Sequence, residues 1–325
     1  MKSFEEILLL VNTEIDHINW SRSPLGLYEP IGYVLSLGGK RIRPAVTLMA
    51  CNIYSEDVMQ AMKAAISLEI FHNFTLLHDD IMDRADLRRG KPTVHKKWCD
   101  NTAILSGDVM QIEAYRWMTE SPEDKLKKNL LLFSKTAAEI CEGQQFDMEF
   151  EKRDEVTPDE YIEMIRLKTA VLIAAGCQIG AWIGGASDED ARNLYDFGNN
   201  IGLAFQLKDD LLDVYGDEAS FGKKIGGDIL CNKKTFLLIH ALKKAQGKDA
   251  ADLNFWLKNH NSDNNKEKVN AVTEIYNRLG VKAICEEAMN NFYVKANASL
   301  DKVSVSDDKK QELRKLSQKL MSRND

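Results

Sequence analysis

Two aspartate clusters in this chain have the residue types and the spacing that can hold divalent cations. The first spans Asp79–Asp83 and the second Asp209–Asp213, and each reads aspartate, aspartate, two apolar residues, aspartate. On a helix, residues four positions apart share a face, so the first and last aspartates of each cluster point the same way. Such carboxylates repel each other unless a cation neutralises them. We expect Mg²⁺, because it is usually held by one or two carboxylates together with phosphate oxygens.

Basic residues follow both clusters. Arg88 and Arg89 follow the first, and Lys223 and Lys233 follow the second, in each case in a segment with glycine. Guanidinium forks and lysine ammonium groups both suit phosphate oxygens. A single such pattern could be an exposed acidic helix end with a solvated basic loop. Because the pattern occurs twice, we expect the two clusters to be facing walls of one site for a highly charged phosphate group.

A third basic segment, Gly38–Pro44, precedes both clusters. It carries Lys40, Arg41 and Arg43 next to paired glycines, which allow the backbone to turn tightly. Three cations in four residues suit a diphosphate, although a solvated loop is the simpler alternative.

Polar side chains inside otherwise apolar helices have both a structural and a functional interpretation. His72 lies about two turns before Asp79 and is either a core histidine or a ligand. Lys168, followed by Thr169, either extends along an apolar surface or points into a polar cavity. Gln206, just before the second cluster, is either a buried amide or part of the second site.

The spacing of the apolar residues predicts an all-α protein. Only 6 prolines occur in 325 residues, and 44% of the residues are hydrophobic. We predict no strands, and helices at 3–20, 44–53, 56–83, 98–119, 123–147, 158–184, 187–216, 234–246, 250–259, 264–280, 282–302 and 307–322. No linker rich in serine, glycine or proline divides this series, so one domain is predicted over residues 1–325. Mobile loops are predicted at 84–97, 217–233 and 260–266.

Charge and cysteine content argue against several classes of protein. The net charge of −7 argues against general nucleic-acid binding. The 6 cysteines form no Cys-x-x-Cys pair, which argues against a thiolate metal site and against a disulfide framework. The first residues are acidic rather than basic, and no apolar run approaches the roughly 18 residues of a membrane span. We therefore expect no signal peptide, no membrane span and a cytoplasmic protein.

Together these motifs resemble those of the trans-isoprenyl diphosphate synthases, also called polyprenyl synthetases. That family has two Asp-Asp-x-x-Asp motifs, a Gly-Gly-Lys-x-x-Arg-Pro motif, an Arg-Arg-Gly motif after the first aspartates, a Lys-Thr pair, a Phe-Gln pair before the second aspartates and a lysine loop after them. All occur here, in that order, between Gly38 and Thr235. The resemblance implies an all-α, isoprenoid synthase-type helical bundle around a deep central cavity, assembled as a homodimer.

The resemblance also implies a role for each motif residue in a Mg²⁺-dependent condensation of isopentenyl diphosphate with an allylic diphosphate. Asp79 and Asp83 bind two Mg²⁺ ions, Asp209 leads the binding of a third, and the supporting aspartates are Asp80, Asp210 and Asp213. The residues that hold the allylic diphosphate are Arg88, Lys168, Thr169, Gln206, Lys223 and Lys233, with Phe205 next to Gln206. Those that hold the diphosphate of isopentenyl diphosphate are Lys40, Arg43, His72 and Arg89. The six aspartates, Arg88 and Lys168 are the residues that carry catalysis.

The resemblance also implies that residues just before the first aspartate set the length of the product. In the family, bulky residues four and five positions before the first aspartate form a floor. Here these positions hold Thr75 and Phe74, and Phe71 lies two turns below Asp79 on the same side. Phenylalanine is common in cores, so simple packing is the alternative for both aromatic residues. The pattern resembles archaeal-type geranylgeranyl synthases, which implies a C20 product, with C15, the farnesyl length, as the alternative.

Three other classes share parts of this pattern. A class I terpene cyclase or a head-to-head synthase would share the first cluster, but a second cluster in aspartate form and a second diphosphate segment at Lys40–Arg43 are not expected of either. A non-catalytic partner subunit would be expected to lack one cluster, and both are present. The sequence therefore favours an enzyme that elongates prenyl chains.

Overall fold

The computed structural model describes residues 1–216, 225–258 and 265–322, and these residues are mostly helical. In the first half of the chain the helices are α1 (Phe4–Asp16), α2 (Leu25–Ser36), α3 (Ile42–Asn52), α4 (Met62–Met82), α5 (Val94–Lys97), α6 (Asp100–Thr119) and α7 (Glu123–Lys152). In the second half they are α8 (Pro158–Ile165), α9 (Val171–Gly184), α10 (Asp188–Tyr215), α11 (Gly227–Leu230), α12 (Phe236–Lys244), α13 (Gly247–Lys258), α14 (Asn265–Leu279), α15 (Val281–Asp301) and α16 (Asp307–Ser322). The predicted all-α class is confirmed.

The chain divides into two compact units. Unit 1 comprises Met1–Thr136, Leu172–Gly198 and Ser299–Leu316, and unit 2 comprises Ala137–Val171, Asn199–Ala298 and Ser317–Asp325. Each unit therefore carries one aspartate cluster. The single domain over residues 1–325, the facing arrangement of the clusters and the central cavity stay predictions.

Helix α4 is the central element of unit 1. Its apolar residues are buried around most of its circumference, and it packs mainly against α6 and also against α3. A helix that is apolar on all sides is stable only when its neighbours cover it. Burial decreases at the end of this helix, where Leu77 is buried but Met82 and Asp83 are exposed, so the first aspartates lie where the helix reaches the surface of the unit.

Unit 2 contains a π-helical segment, Arg166–Ala170, directly after α8. Lys168 and Thr169 lie inside this segment, and π-helical turns within α-helices are frequent at functional sites. Helix α7 approaches the segment at Gly143, where an added Cβ would lie 2.4 Å from the backbone nitrogen of Lys168. Glycine at this position therefore permits the close packing of α7 on the segment that carries two predicted ligands.

Several predicted boundaries differ from the observed ones. The predicted helix 56–83 is divided into a 3₁₀ turn, Val58–Ala61, and helix α4, because the side chain of Asp57 accepts from the backbone N–H of Met59 and begins the turn. The predicted helix 3–20 ends at Asp16. The four-residue helices α5 and α11 were not predicted, because they are too short to show a periodicity. The predicted loops 217–233 and 260–266 fall partly outside the described residues.

The prediction of no strands is wrong at one place. Leu87–Arg88 and Lys91–Pro92 form an antiparallel hairpin in which Arg88 pairs with Lys91. The turn residues Arg89 and Gly90 have φ angles of 53° and 73°. Positive φ at both central residues is the geometry of a type I′ turn, and this turn favours glycine at its second central position. Strands of two residues are too short to show an alternating pattern, so the sequence could not predict them.

One helical stretch, Pro158–Gly184, is long and apolar enough to cross a membrane by length and composition alone. However, 72% of its most apolar window is buried inside the protein. A core helix of a folded domain shows the same apolar composition and the same burial. The stretch is therefore weak evidence for a membrane span.

Candidate active site

The first aspartate cluster lies at the C-terminal end of α4. Asp83 directly follows the helix, and its backbone N–H donates to the carbonyl oxygen of Asp79 at 2.9 Å. One helical turn therefore separates these two residues, as the spacing predicts. Asp83 is exposed and Asp79 partly exposed, whereas Asp80 is buried. The middle aspartate thus has a different environment from the two that are predicted to bind metal.

Asp80 is paired with Arg88 of the hairpin. Nε and Nη2 of Arg88 donate to the two carboxylate oxygens of Asp80, at 2.8 and 2.7 Å. Burial raises the pKa of Asp80 even though Arg88 draws it down. Burial lowers the pKa of Arg88, but the hydrogen bonds and charge of Asp80 outweigh this effect and leave it raised. Both oxygens of Asp80 are engaged, so this aspartate fixes Arg88 beside the first cluster.

Arg41, in the basic segment Gly38–Pro44, turns into the core of unit 1. Its Nη1 donates to Oε1 of Glu69 at 2.5 Å, and its Nη2 donates to the carbonyl oxygen of Leu35 at 2.6 Å. The two charged side chains are 4% and 3% exposed. Asn73 donates to the same oxygen of Glu69 at 2.9 Å. Arg41 has a φ angle of 48°, so this buried network holds a left-handed residue in the middle of the basic segment.

Arg43 and His72, which the resemblance assigns to isopentenyl diphosphate, contact each other. Nη1 of Arg43 lies 3.1 Å from Nε2 of His72. Burial, aided by the charges of Arg43 and Arg89, lowers the pKa of His72 well below its usual value. Burial also lowers the pKa of Arg43, to about 10, which leaves this arginine charged at pH 7. His72 is therefore neutral and accepts the hydrogen bond from Arg43.

Arg89 connects the hairpin with the glycine turn of the basic segment. Its Nη1 donates to the carbonyl oxygen of Gly38. A Cβ on Gly39, which has a φ angle of 135°, would lie 2.6 Å from Nη2 of Arg89. Glycine at this position therefore permits the approach of the arginine. Lys40 follows directly and is exposed. The contacts of Arg89 with Gly38 and Gly39 thus place it against the basic segment that carries Lys40.

Tilted and edge-to-face ring contacts connect aromatic side chains of α4, before the first aspartates, with one of α7. The ring centroids of Phe74 and Phe71 are 5.3 Å apart, and those of Phe71 and Phe133 are 5.2 Å apart. Phe74 also contacts the ring of His78, at 4.8 Å. Phe71 is fully buried and Phe74 is 7% exposed, whereas Thr75 is partly exposed. Phe71 is held by packing on α7, while Phe74 and Thr75 lie closer to the aspartates.

The middle aspartate of the second cluster, on α10, is also buried. Tyr161 donates through its hydroxyl to Oδ2 of Asp210 at 2.5 Å, and Nε2 of Gln206 donates to Oδ1 at 3.2 Å. The hydroxyl of Thr169 donates to Oε1 of Gln206 at 3.1 Å. Burial, with the charge of Asp228 as a second cause, raises the pKa of Asp210 to about 7. This chain of bonds joins the π-helical segment to the second cluster.

Asp209 and Asp213, the outer aspartates of the second cluster, lie one turn apart near the end of α10. Both are partly exposed. Oδ2 of Asp213 accepts from the backbone N–H of Asp228 at 3.0 Å, in the first turn of α11, where helix N–H groups need acceptors. Phe205 lies one turn before Asp209 and is partly exposed. Lys223 lies outside the described residues.

A carboxylate that the sequence did not reveal as functional lies between two of the predicted lysines. Oδ2 of Asp147, on α7, accepts from Nζ of Lys168 at 2.6 Å and lies 3.7 Å from Nζ of Lys233. Burial raises the pKa of Asp147, but the charges of Lys233 and Lys168 outweigh burial and lower it overall. The sequence feature that could have indicated such a carboxylate is Lys168, because a lysine within an apolar helix needs a counter-charge.

The donor sets of the two clusters fit Mg²⁺. Each cluster offers two carboxylates one helical turn apart, at positions that are at least partly exposed. Mg²⁺ takes hard oxygen ligands and commonly uses one or two carboxylates, with water and phosphate oxygens at its other positions. Among residues 1–216, 225–258 and 265–322, no group of three or more His, Cys, Asp or Glu side chains converges as a metal site. Sets of two carboxylates suit an ion that is held jointly with a phosphate ligand.

The helical fold and its two aspartate clusters with adjacent cations define a protein that handles diphosphates, of the isoprenoid synthase type. Comparison with protein families identifies it further, because the model of the polyprenyl synthetase family matches residues 25–276. The chain belongs to the polyprenyl synthetase family. The resemblance that its motifs suggested is thereby confirmed.

Individual relatives agree with this assignment. The chain is 44% identical over 236 residues to the geranylgeranyl diphosphate synthase of Methanosarcina mazei, covering 72% of this chain and 73% of the relative. It is 39% identical over 262 residues to the geranylfarnesyl diphosphate synthase of Natronomonas pharaonis, covering 75% and 76%. A crystal structure of a geranylgeranyl pyrophosphate synthase matches with a TM-score of 0.95 at 43% identity, over 99% of both chains. That of the Corynebacterium glutamicum enzyme, complexed with isoprenyl diphosphate and magnesium, matches at 0.84 and 28% identity, over 98% of this chain and 97% of that one.

Proposed function

We propose that this protein is a short-chain trans-prenyltransferase that condenses isopentenyl diphosphate with dimethylallyl, geranyl and farnesyl diphosphates and forms geranylgeranyl diphosphate, C20. The observation that carries the proposal is the pair of aspartate clusters, each accompanied by fixed cations. Arg88 is held beside the first cluster, and Lys168 and Lys233 share Asp147 in the unit of the second. Carboxylates for metal ions together with fixed cations suit the departure of a diphosphate. The relatives named geranylgeranyl diphosphate synthase support the product.

In the proposed reaction, the C–O bond of the allylic diphosphate breaks and the diphosphate leaves with the electron pair. The residues that hold this leaving group and stabilise its charge are Arg88, Lys168, Thr169, Gln206, Lys223 and Lys233. Mg²⁺, as three ions held through Asp79, Asp83 and Asp209, would supply further neutralisation of that charge. Asp80 and Asp210 act indirectly, because Asp80 orients Arg88 and Asp210 orients Gln206.

The second substrate supplies the new carbon atoms. Arg43, oriented by the neutral His72, binds the diphosphate of isopentenyl diphosphate together with Lys40 and Arg89. The double bond of this substrate attacks the allylic cation, and a new C–C bond forms. The proton that is then lost passes to the departing diphosphate. Apolar walls below the aspartates keep water from the cation.

The two groups of cations should affect different substrates. We expect Lys40→Ala and Arg43→Ala to raise KM for isopentenyl diphosphate, and Lys168→Ala to raise KM for the allylic substrate, each by about 10- to 100-fold. A lost charged hydrogen bond costs roughly 1.5–3 kcal/mol. Steady-state kinetics with each substrate varied in turn measure the effect, with Lys248→Ala, at an exposed lysine, as the control. Equal effects on both substrates in all three variants would contradict the division into two sites.

We propose that product length depends on the residues of α4 that precede Asp79 by one or two helical turns. Phe71 is anchored against Phe133, whereas Phe74 and Thr75 are one turn nearer to the aspartates. One helical turn is about 5.4 Å, close to the length of one extended isoprene unit. Threonine at position 75 is smaller than an aromatic residue, and a second aromatic ring at that position would block a chain that passes it. This supports a C20 product over the C15 alternative.

Substitutions at these two positions should shift the product in opposite directions. We expect Thr75→Phe to shorten the main product toward C15, because the added ring fills the space one turn below Asp79. Phe74→Ala should lengthen it, because the floor is removed. Chromatography of the dephosphorylated prenyl alcohols measures the distribution, and Phe255→Ala, at a 58% exposed phenylalanine, is the control. An unchanged distribution in both α4 variants would place the floor elsewhere.

We also propose a homodimer and a cytoplasmic location. The exposed side of α6 carries Ile104, Leu105 and Ile112, which are 44%, 58% and 59% exposed. Grouped apolar side chains on an exposed face are typical of interaction surfaces, and a second copy of this chain is the partner proposed for it. Sedimentation equilibrium should give twice the chain mass of 36.8 kDa. The location rests on the sequence pattern alone.

The type of reaction can be tested directly. The purified protein is incubated with isopentenyl and dimethylallyl diphosphates and Mg²⁺, and the products are extracted with and without phosphatase treatment. Elongated prenyl diphosphates are the expected result. A hydrocarbon that needs no phosphatase would indicate a terpene cyclase, and no turnover would indicate a non-catalytic subunit.

A further inference from the structure

Asp147 places a negative charge where the proposed allylic site should bind a diphosphate. Its Oδ2 lies 2.6 Å from Nζ of Lys168 and 3.7 Å from Nζ of Lys233. Both lysines are assigned to the allylic diphosphate, and they come from two different elements, the π-helical segment and the loop after α11. The side chain of Asp147 is 14% exposed, so solvent screens its charge only partly.

The backbone fixes Asp147 relative to Lys168. Gly143 lies one helical turn before Asp147 on α7, and its Cα approaches the π-helical segment so closely that a Cβ would meet the backbone of Lys168. Residues four positions apart share a helix face, so Asp147 is directed toward the same segment. Helix packing therefore sets the position of Asp147 relative to the backbone of Lys168.

We propose that Asp147 makes diphosphate binding at this site depend on a divalent cation. A diphosphate that contacts both lysines must come close to the carboxylate between them, and like charges repel strongly in a site that is partly shielded from water. A diphosphate that already carries Mg²⁺ has a smaller net negative charge and meets less repulsion. Asp147 is thus a selectivity and positioning residue that disfavours the metal-free ligand. This inference rests on the proposed assignment of Lys168 and Lys233 to the allylic diphosphate.

Calorimetric titration of inorganic diphosphate into the full chain, once with EDTA and once with Mg²⁺, tests the inference. Asp147→Asn keeps the shape of the side chain but removes its charge. We expect it to tighten metal-free binding by about tenfold or more, and so to reduce the ratio of the metal-free Kd to the Mg²⁺-loaded Kd. Asp147→Glu, which restores the charge, should keep a ratio near that of the wild type. Glu149→Gln removes an exposed charge from the same helix and should leave the ratio unchanged.

The alternative roles of Asp147 give different results. Equal weakening in both conditions would show that Asp147 only supports the lysines, and weakening with Mg²⁺ alone would show that it is a metal ligand. Either result, or an unchanged ratio in Asp147→Asn, would overturn the inference while wild-type binding stays intact. If the wild type itself fails to bind diphosphate in Mg²⁺, the proposed diphosphate site fails, and this inference fails with it.

Discussion

Alanine at Asp79 or at Asp209 is expected to lower kcat by about a thousandfold or more, and excess EDTA is expected to abolish turnover by the wild type. Each substitution removes a carboxylate that the proposed site uses to gather cations around a polyanionic leaving group. Such charge stabilisation is worth several kcal/mol, and roughly 1.4 kcal/mol corresponds to a factor of ten in rate. Steady-state measurement of diphosphate release at saturating substrates would give the effect.

The matched controls for these variants are an exposed aspartate, Asp124, and a partly exposed one, Asp252, in the same two units. Asp124→Ala in unit 1 and Asp252→Ala in unit 2 each remove one negative charge that is paired with a nearby lysine. Both should retain kcat within about twofold, because surface ion pairs contribute little. Turnover that persists in excess EDTA, or an Asp79→Ala variant within tenfold of the wild type, would contradict the metal-dependent assignment.

Glutamine at Glu69 is expected to lower the free energy of unfolding by about 3 kcal/mol or more. The substitution keeps the shape of the side chain but leaves the guanidinium of Arg41, which is 4% exposed, without a counter-charge. Neutralising one partner of a buried ion pair lowers the free energy of unfolding by roughly 3–5 kcal/mol, because the remaining charge is no longer compensated. Urea denaturation monitored by circular dichroism measures the change.

A double variant separates two contributions to the lost stability, the unpaired charge of Arg41 and the loss of packing. Glu69→Gln combined with Arg41→Gln removes both charges and should recover part of the lost stability, since no buried charge is left unpaired. Asp252→Asn, which breaks the surface pair with Lys248, should change the free energy of unfolding by less than about 1 kcal/mol. A Glu69→Gln protein as stable as the wild type would show that the network around Arg41 does not hold the basic segment.

The geometry within each aspartate cluster could be predicted from the sequence because a helix has a fixed period. The same period placed Asp83 one turn after Asp79 and Asp213 one turn after Asp209, and both pairs lie at or near the ends of helices as expected. Motif order was enough to predict the family, which the match over residues 25–276 confirms. The roles of the individual site residues remain predictions.

Partners that come from different elements could not be predicted in the same way. Asp80 differs from its neighbour Asp79 because Arg88 reaches it, and Arg88 is placed by a hairpin whose strands are too short to recognise. Arg41 and Arg43 look alike in the basic segment, yet one is buried against Glu69 and the other contacts His72. Arg41 differs from Arg43 because its own backbone is left-handed and because the carboxylate of Glu69, 28 positions away, accepts from its side chain.

The position of Lys168 was ambiguous in the sequence for a related reason. A lysine in an apolar helix fits both an extended surface side chain and a buried ion pair. Two features decide between them: Asp147, 21 positions earlier, and a π-helical turn that apolar periodicity does not reveal. Asp147 lies beside Lys168 because α7 packs closely on this segment at Gly143, and that packing is a tertiary contact.

The central claim, a C20 prenyltransferase, is tested most directly by counting how many isopentenyl units one primer accepts. The purified protein is given dimethylallyl diphosphate, excess ¹³C-labelled isopentenyl diphosphate and Mg²⁺, and the dephosphorylated product is analysed by mass spectrometry. We predict a main product that carries three labelled units on each primer, with one diphosphate released per unit added. Diphosphate release without incorporation of label, or a main product that stops at two units, would contradict the account.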